Sequence, residues 1–271
     1  MSASENREAR RISPKSVDVR GCAVFRGRLS PQFFSDPVVC RLPPITRIYV
    51  VHADGHIEKR IPKIVSTGFG DLIAYWYADA LGELHPLGEY KFTVVPRYSP
   101  GNKAAEGHSQ IVDLRTVAPY WQSGMLKYGF SIRTTRPFIS DMALASFLGA
   151  MLEVGYEDIV CTGFSTEEGK TAGGSSSHVN GTNGDFRYLR NDGISGPLHI
   201  ALANGQPELL DEYRQTAFIE ALYRFGWKSM LSYRYQRDGE SRLLTRTRHY
   251  SNHHHHLHLQ GYSPNVEELH E

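Results

Sequence analysis

The rhythm of apolar and polar positions changes along the chain. Between residues 45 and 95 it is strand-like. Ile48-Tyr49-Val50-Val51-His52 and His56-Ile57-Glu58-Lys59-Arg60-Ile61 flank Asp54-Gly55, a pair that readily supplies positive φ, and together they predict a hairpin. Residues 72–77 and 90–95 predict two more strands. The stretch 99–107 is rich in breakers and small polar residues, which predicts a domain boundary near residue 105. Beyond it helical spacing appears: Leu144, Phe147, Leu148, Met151 and Leu152 repeat at i, i+3, i+4, i+7 and i+8, with Ser140 as N-cap and Gly155 as terminator. A strand is expected at 158–164, followed by a pliable loop at 169–177 suited to act as a lid or substrate-gripping edge. A second helix is expected at 207–225, opened by Pro207, with Phe218, Ala221, Leu222 and Phe225 on one face and Gly226 as its stop. Residues 229–235 and 257–259 predict the last strands.

The expected fold class is therefore α+β. A polar tail at 1–16 precedes a mainly β domain at 17–105. An α+β domain at 106–271 follows, with an antiparallel sheet and two core helices. With 271 residues, 40% of them hydrophobic, the chain can bury a sizeable core. Its 30 basic and 29 acidic side chains leave a net charge of +1, which gives no global attraction to nucleic acid or an anionic membrane. No run of about 18 apolar residues would span a bilayer. The first residues lack the apolar segment of a secretory signal, so synthesis in the cytoplasm without the signal-peptide route is expected. Cys22, Cys40 and Cys161 are odd in number and widely spaced, which predicts reduced thiols, with a Cys22–Cys40 bridge as the alternative.

The chemistry concentrates in two segments. One is His178-Val179-Asn180-Gly181-Thr182-Asn183-Gly184-Asp185; the other is His253-His254-His255-His256-Leu257-His258. Zinc accepts imidazole nitrogen and carboxylate oxygen, and a catalytic site takes three protein ligands and keeps one position open. Gly181 and Gly184 allow the first segment to fold back so that His178 and Asp185 converge. Alternation around Leu257 puts His256 and His258 on one face of a strand. Two plainer readings compete: an affinity tag, against which stand the thirteen residues after His258, and a nonspecific metal-binding tract. His254 reads as incidental, and His52, His56, His85, His108, His199 and His249 as structural or exposed. The cluster Tyr75-Trp76-Tyr77 either stacks sugars or simply alternates between core and surface.

His178-x-x-Gly181-x-x-x-Asp185 followed by His256-x-His258 resembles the signature of the zinc peptidases that include D-alanyl-D-alanine carboxypeptidases, the hedgehog N-terminal domain and penicillin-insensitive murein endopeptidases. The resemblance covers roughly residues 110–262. It implies that His178, Asp185 and His258 bind zinc and that His256 stabilises the oxyanion. Carboxypeptidase members place a Glu where this chain has His255, whereas murein endopeptidase members have a His at the position of His253. The resemblance thus points to His253 as general base, with His255 in reserve. Many carboxypeptidase relatives carry an Arg where this chain reads Ser165 after Gly163-Phe164. The missing cation favours an endopeptidase, with Arg187 or Arg190 as conceivable substitutes. The implied function is zinc-dependent cleavage of peptidoglycan peptides, as an antibacterial effector or lysin exported by a dedicated machine and restrained by a cognate immunity protein. The alternative is a catalytically inactive, zinc-containing binding module with residues 17–100 as its recognition part.

Overall fold

The computed structural model describes residues 44–63, 71–172, 175–201 and 205–270. The tail expected at 1–16 and the Cys22–Cys40 pair lie outside the described residues; Cys161 is a buried free thiol.

Around Asp54-Gly55 the strands Ile45–His52 and His56–Ile61 pair antiparallel, and Gly55 closes the turn at φ +92. Leu72–Ala78 joins Ile45–His52 in parallel, Leu84–Lys91 joins Leu72–Ala78 antiparallel, and Asn265–His270 joins His56–Ile61 in parallel. The result is a five-stranded sheet that combines residues from both ends of the described chain. Tyr75 and Tyr77 are both buried, in keeping with the burial alternative for that aromatic cluster.

One expected strand and the expected domain boundary differ in the structure. Residues 90–95 are not one strand: Leu84–Lys91 ends in the five-stranded sheet, and Thr93–Ser99 begins a separate three-stranded one with Lys103–Asp113 and Phe138–Ser140. The break at Phe92 lets Tyr90 enter the main core while Val95 packs with Ile111 and Phe138 in a satellite cluster. The breaker-rich stretch 99–107 lies within a hairpin: residues 100–102 turn the chain from Thr93–Ser99 into Lys103–Asp113, with Asn102 at φ +59 and Gly101 at φ +76, and residues 103–107 already belong to the second strand. Gly, Asn and Pro punctuate tight turns and linkers alike, so composition could not separate the two.

The largest sheet has seven strands in the order Thr247–His249, Trp227–Ser232, Leu257–Tyr262, Gly184–Phe186, Ile159–Gly163, Leu126–Ile132, Tyr120–Ser123. It is mixed rather than antiparallel, because Ile159–Gly163 runs parallel to Leu126–Ile132 and Trp227–Ser232 parallel to Thr247–His249. The first of those parallel pairs is joined through helix α1 (Asp141–Val154), a long connection of the sort parallel strands require. Ser140 caps α1 by accepting from the Ala143 amide, and Gly155 ends it at φ +65. Helix α2 spans Glu212–Arg224, shorter than expected at its N-terminus: Pro207–Leu209 forms one 3-10 turn, and Asp211, not Pro207, starts the α-helix by accepting from Arg214 N. The strand expected at 229–235 divides into Trp227–Ser232 and Tyr235–Arg237.

The described residues all fall within one compact unit. A single core cluster runs from Tyr49 and Val51 through Phe147 and Phe218 to Leu259. Helix α1 packs on α2 and touches strands of both large sheets. Among the described residues no helix is long and apolar enough to cross a membrane.

Candidate metal centre

Register brings the two chemical segments together. Gly184–Phe186 pairs antiparallel with Leu257–Tyr262 so that Asp185 lies directly opposite His258, with Phe186 and Leu257 turned into the core beside them. The loop leading from His178 is fixed on three sides. The Ser140 amide donates to the Gly181 carbonyl (2.8 Å), the Trp227 indole donates to Thr182 O (2.9 Å), and the Asn180 side chain makes two hydrogen bonds with the Tyr98 backbone. Gly181 sits at φ +68, and a Cβ there would come within 2.4 Å of Ser140 N, so both conformation and space require glycine. Gly184 serves differently from the fold-back role expected of it. It lies in a strand, where a Cβ would strike the Phe164 ring at 2.5 Å.

Three ligand atoms converge. His178 Nε2 is 3.0 Å from Asp185 Oδ2, and His258 Nδ1 is 2.7 Å from Asp185 Oδ1. All three residues are buried, and their ligand atoms lie within 4.8 Å of one another. A tetrahedral ion with bonds of about 2.0–2.1 Å places its ligand atoms about 3.3 Å apart, close to these separations. Tautomers strengthen the fit. His178 Nδ1 lies 3.0 Å from the Asn183 carbonyl, which can only accept, so Nδ1 carries the hydrogen. In a neutral ring, Nε2 then presents a lone pair to the Asp185 carboxylate, an arrangement that calls for a proton or a metal cation between them. The Asn183 contact is also the outer hydrogen bond that orients a ligating imidazole. On His258 the opposite nitrogen, Nε2, meets Ser177 Oγ at 3.5 Å.

A second set, His253, His256 and His258, satisfies the same distance condition and shares His258. It has no carboxylate, and His253 Nδ1 is buried with no hydrogen-bond partner, so it lacks the orienting contact that His178 has. A third group, Asp79, Glu83 and His85, is part-exposed, and Asp79 accepts from the Leu81 and Glu83 amides within its turn. The set His178, Asp185 and His258 is therefore the group among the described residues best suited to hold a metal ion.

The rest of the histidine run has unequal surroundings. The His253 ring lies 4.6 Å from that of His256 and 5.3 Å from that of His258. His256 Nε2 is 3.5 Å from Asp185 Oδ1. His255 is exposed and stacks on His199 at 5.6 Å, and His254 also packs against His199 at 5.2 Å. Burial pushes the His253 ring down to about 3, helped by repulsion from His256 and His258. Burial likewise lowers His256 to about 4, against the pull of Asp185. Burial alone would raise the Asp185 carboxyl, but hydrogen bonds from His178 and His258 outweigh it and hold the group ionised well below the usual carboxylate range.

The site opens into a cleft of about 930 Å³ that includes His178, Asp185, His253, His256 and His258 in its lining. Sequence reasoning missed a cation here. Arg136 lies on the lining with Nη2 3.4 Å from Asp185 Oδ2, while its Nη1 is buried without a partner. Gly163 makes room for it, since a Cβ there would sit 2.7 Å from Arg136 Nη2. No local signal marks Arg136, which stands 49 residues before Asp185. The inference that a cation is missing therefore does not hold: Arg136 and Arg187 both line the cleft, as does Arg248, whereas Arg190 is occupied by Asp192 at 2.5 Å. His199 and His249, read as merely structural or exposed, also line it.

Fold and site together define an α+β protein with a buried His/Asp cluster fit for a metal ion, set in an open cleft. No protein-family model matches the chain, and no curated protein matches it.

Proposed function

We propose that the chain is a zinc-dependent peptidase that cleaves peptide bonds of peptidoglycan, with His178, Asp185 and His258 as the metal ligands. The observation that carries this reading is the convergence of His178 Nε2, Asp185 and His258 Nδ1 beside the buried His253 and the half-buried His256 on an open cleft. Held there, zinc would supply Lewis-acid chemistry, polarising a carbonyl and acidifying water.

The chain's own groups account for the remaining work. His253 lies beside His256 and His258 with an Nδ1 that has no partner, so it is placed to accept the proton of the attacking water and return it to the leaving amine. His255 is the weaker candidate, because its ring contacts His199, His254 and His256 and none of the three ligands. His256, beside Asp185, can donate to the oxygen on which negative charge develops. Arg136 can add the free end of its guanidinium to that oxygen or to a substrate carbonyl.

An internal bond suits the cleft better than a terminal one. Lining side chains extend across five neighbouring strands, from Arg248 on Thr247–His249 to Thr162 on Ile159–Gly163, with His258 and Asp185 on strands between them. At about 4.8 Å per strand, substrate can continue past the ligands in both directions.

The test is digestion of purified peptidoglycan by zinc-replete protein, with muropeptides separated and weighed by mass spectrometry. New peptide termini are expected, and His253→Ala should abolish them while zinc content is unchanged. Unaltered muropeptides in the presence of bound zinc would remove the peptidase reading and leave a metal-containing binding module.

A further inference from the structure

The cleft is strongly unbalanced in charge. Arg136, Arg187 and Arg248 line it, and Asp185 is the one carboxylate among its described lining residues. Asp185 is itself buried and engaged with His178 and His258. Elsewhere arginines in this molecule meet carboxylates: Arg47 with Asp141, Arg214 with Asp158, Arg246 with Glu220. Arg187 and Arg248 do not. Arg187 Nη1 donates to the Ser195 carbonyl at 2.8 Å, and Arg248 Nη2 donates to Ser229 Oγ at 3.1 Å. Among the described residues no acidic side chain neutralises either.

Their placement relative to the metal ligands is set by the sheet. Arg248 lies opposite Leu231, Leu231 opposite His258, and His258 opposite Asp185, forming one row across four strands. Arg248 is thus two strands from His258, about 10 Å at the usual strand spacing. Arg187 follows Asp185 by two residues, and its amide still bonds to Val160 O, so alternation returns its side chain to the face of Asp185, about 7 Å along the strand. One guanidinium stands across the strands from the ligand set and the other along them.

Building on the peptidase reading, we infer that this cleft selects an acidic peptide, one bearing at least two free carboxylates, which Arg187 and Arg248 bind on either flank of the reacting bond. Guanidinium groups bind carboxylates through paired, directional hydrogen bonds, and an uncompensated pair of them in one groove disfavours a neutral or basic peptide. Within peptidoglycan this specifies the part of the stem where a γ-linked glutamate and the following diamino acid each keep a free carboxylate, and it disfavours stems in which those groups are amidated. Arg187 and Arg248 are specificity residues; neither is placed at the reacting atoms.

The probes are the stem tripeptide L-alanyl-γ-D-glutamyl-meso-diaminopimelate and the same tripeptide with its side carboxylates amidated, titrated calorimetrically into the full chain, with hydrolysis followed separately by chromatography. The acidic peptide should bind about tenfold or more tightly than the amidated one, and raising salt should shrink the difference. Arg187→Gln and Arg248→Gln should each weaken the acidic peptide about tenfold and leave the amidated one unchanged, while Arg187→Lys and Arg248→Lys keep part of the preference. Equal affinity for the two peptides, no binding of either, or equal weakening of both in the Gln variants would overturn the inference. The two readings can fail separately. Hydrolysis of both peptides with equal affinity would sink the selectivity and leave the peptidase; a clear acidic preference with no hydrolysis of peptidoglycan would do the reverse.

Discussion

Replacing His253 with Gln should remove about 2 kcal/mol of acid sensitivity from the metal-free protein. The residue is 8% exposed, and burial with repulsion from His256 and His258 takes its pKa from the ordinary 6.5 to about 3. Between those values the unfolded chain binds a proton that the folded chain refuses, so the stability is present above 6.5 and is lost as pH falls. Going from about pH 7 to about pH 5, one such ring costs about 2 kcal/mol, from roughly 1.5 pH units at about 1.36 kcal/mol each. His256, lowered to about 4, adds a similar loss in the same window, which the variant retains. Asp185 acts in another window. Its folded pKa is depressed, so its contribution is complete above the unfolded value of about 3.9 and fades only below it. Urea denaturation in the presence of a chelator at the two pH values measures the difference. The variant should lose about 2 kcal/mol less than the parent on acidification. Equal losses would refute the argument, because they would mean that the folded protein accepts a proton on His253 as readily as the unfolded chain.

Other consequences can be checked alongside. His178→Ala, Asp185→Ala and His258→Ala should each reduce zinc retained after dialysis, measured by atomic emission; full stoichiometry in all three would place the ligands elsewhere. Gly181→Val should destabilise by about 2–4 kcal/mol in thermal melting, since it combines a positive φ with backbone atoms 2.4 and 2.6 Å from the new Cβ. Ser140→Ala removes the α1 cap and should cost about 1 kcal/mol in the same assay, with zinc content unchanged. Arg136→Gln should retain zinc yet lower peptide hydrolysis about a hundredfold, as expected when one donor to a developing oxyanion is lost.

What could be read from the sequence was local. Ser140 and Gly155 bound α1 because capping and left-handed termination depend on near neighbours, and Asp54-Gly55 marked its hairpin for the same reason. His256 and His258 could be assigned to one face by strand parity alone. What escaped was set by tertiary contact. Asn265–His270 completes a sheet begun more than two hundred residues earlier, and nothing within that segment names its partner. The hairpin at Thr93–Asp113 looked like a linker because turn residues do not reveal whether the strands around them pair. Arg136 is brought to Asp185 by the parallel pairing of Leu126–Ile132 with Ile159–Gly163, and its only trace in the sequence is a glycine, Gly163, whose missing Cβ leaves space for the guanidinium.

A zinc anomalous-difference map from crystals of the zinc-replete protein would show directly which atoms hold the ion. It should show one peak bounded by His178 Nε2, Asp185 and His258 Nδ1, open toward His253 and His256. A peak bounded instead by His253, His256 and His258, or no peak at either set, would contradict it.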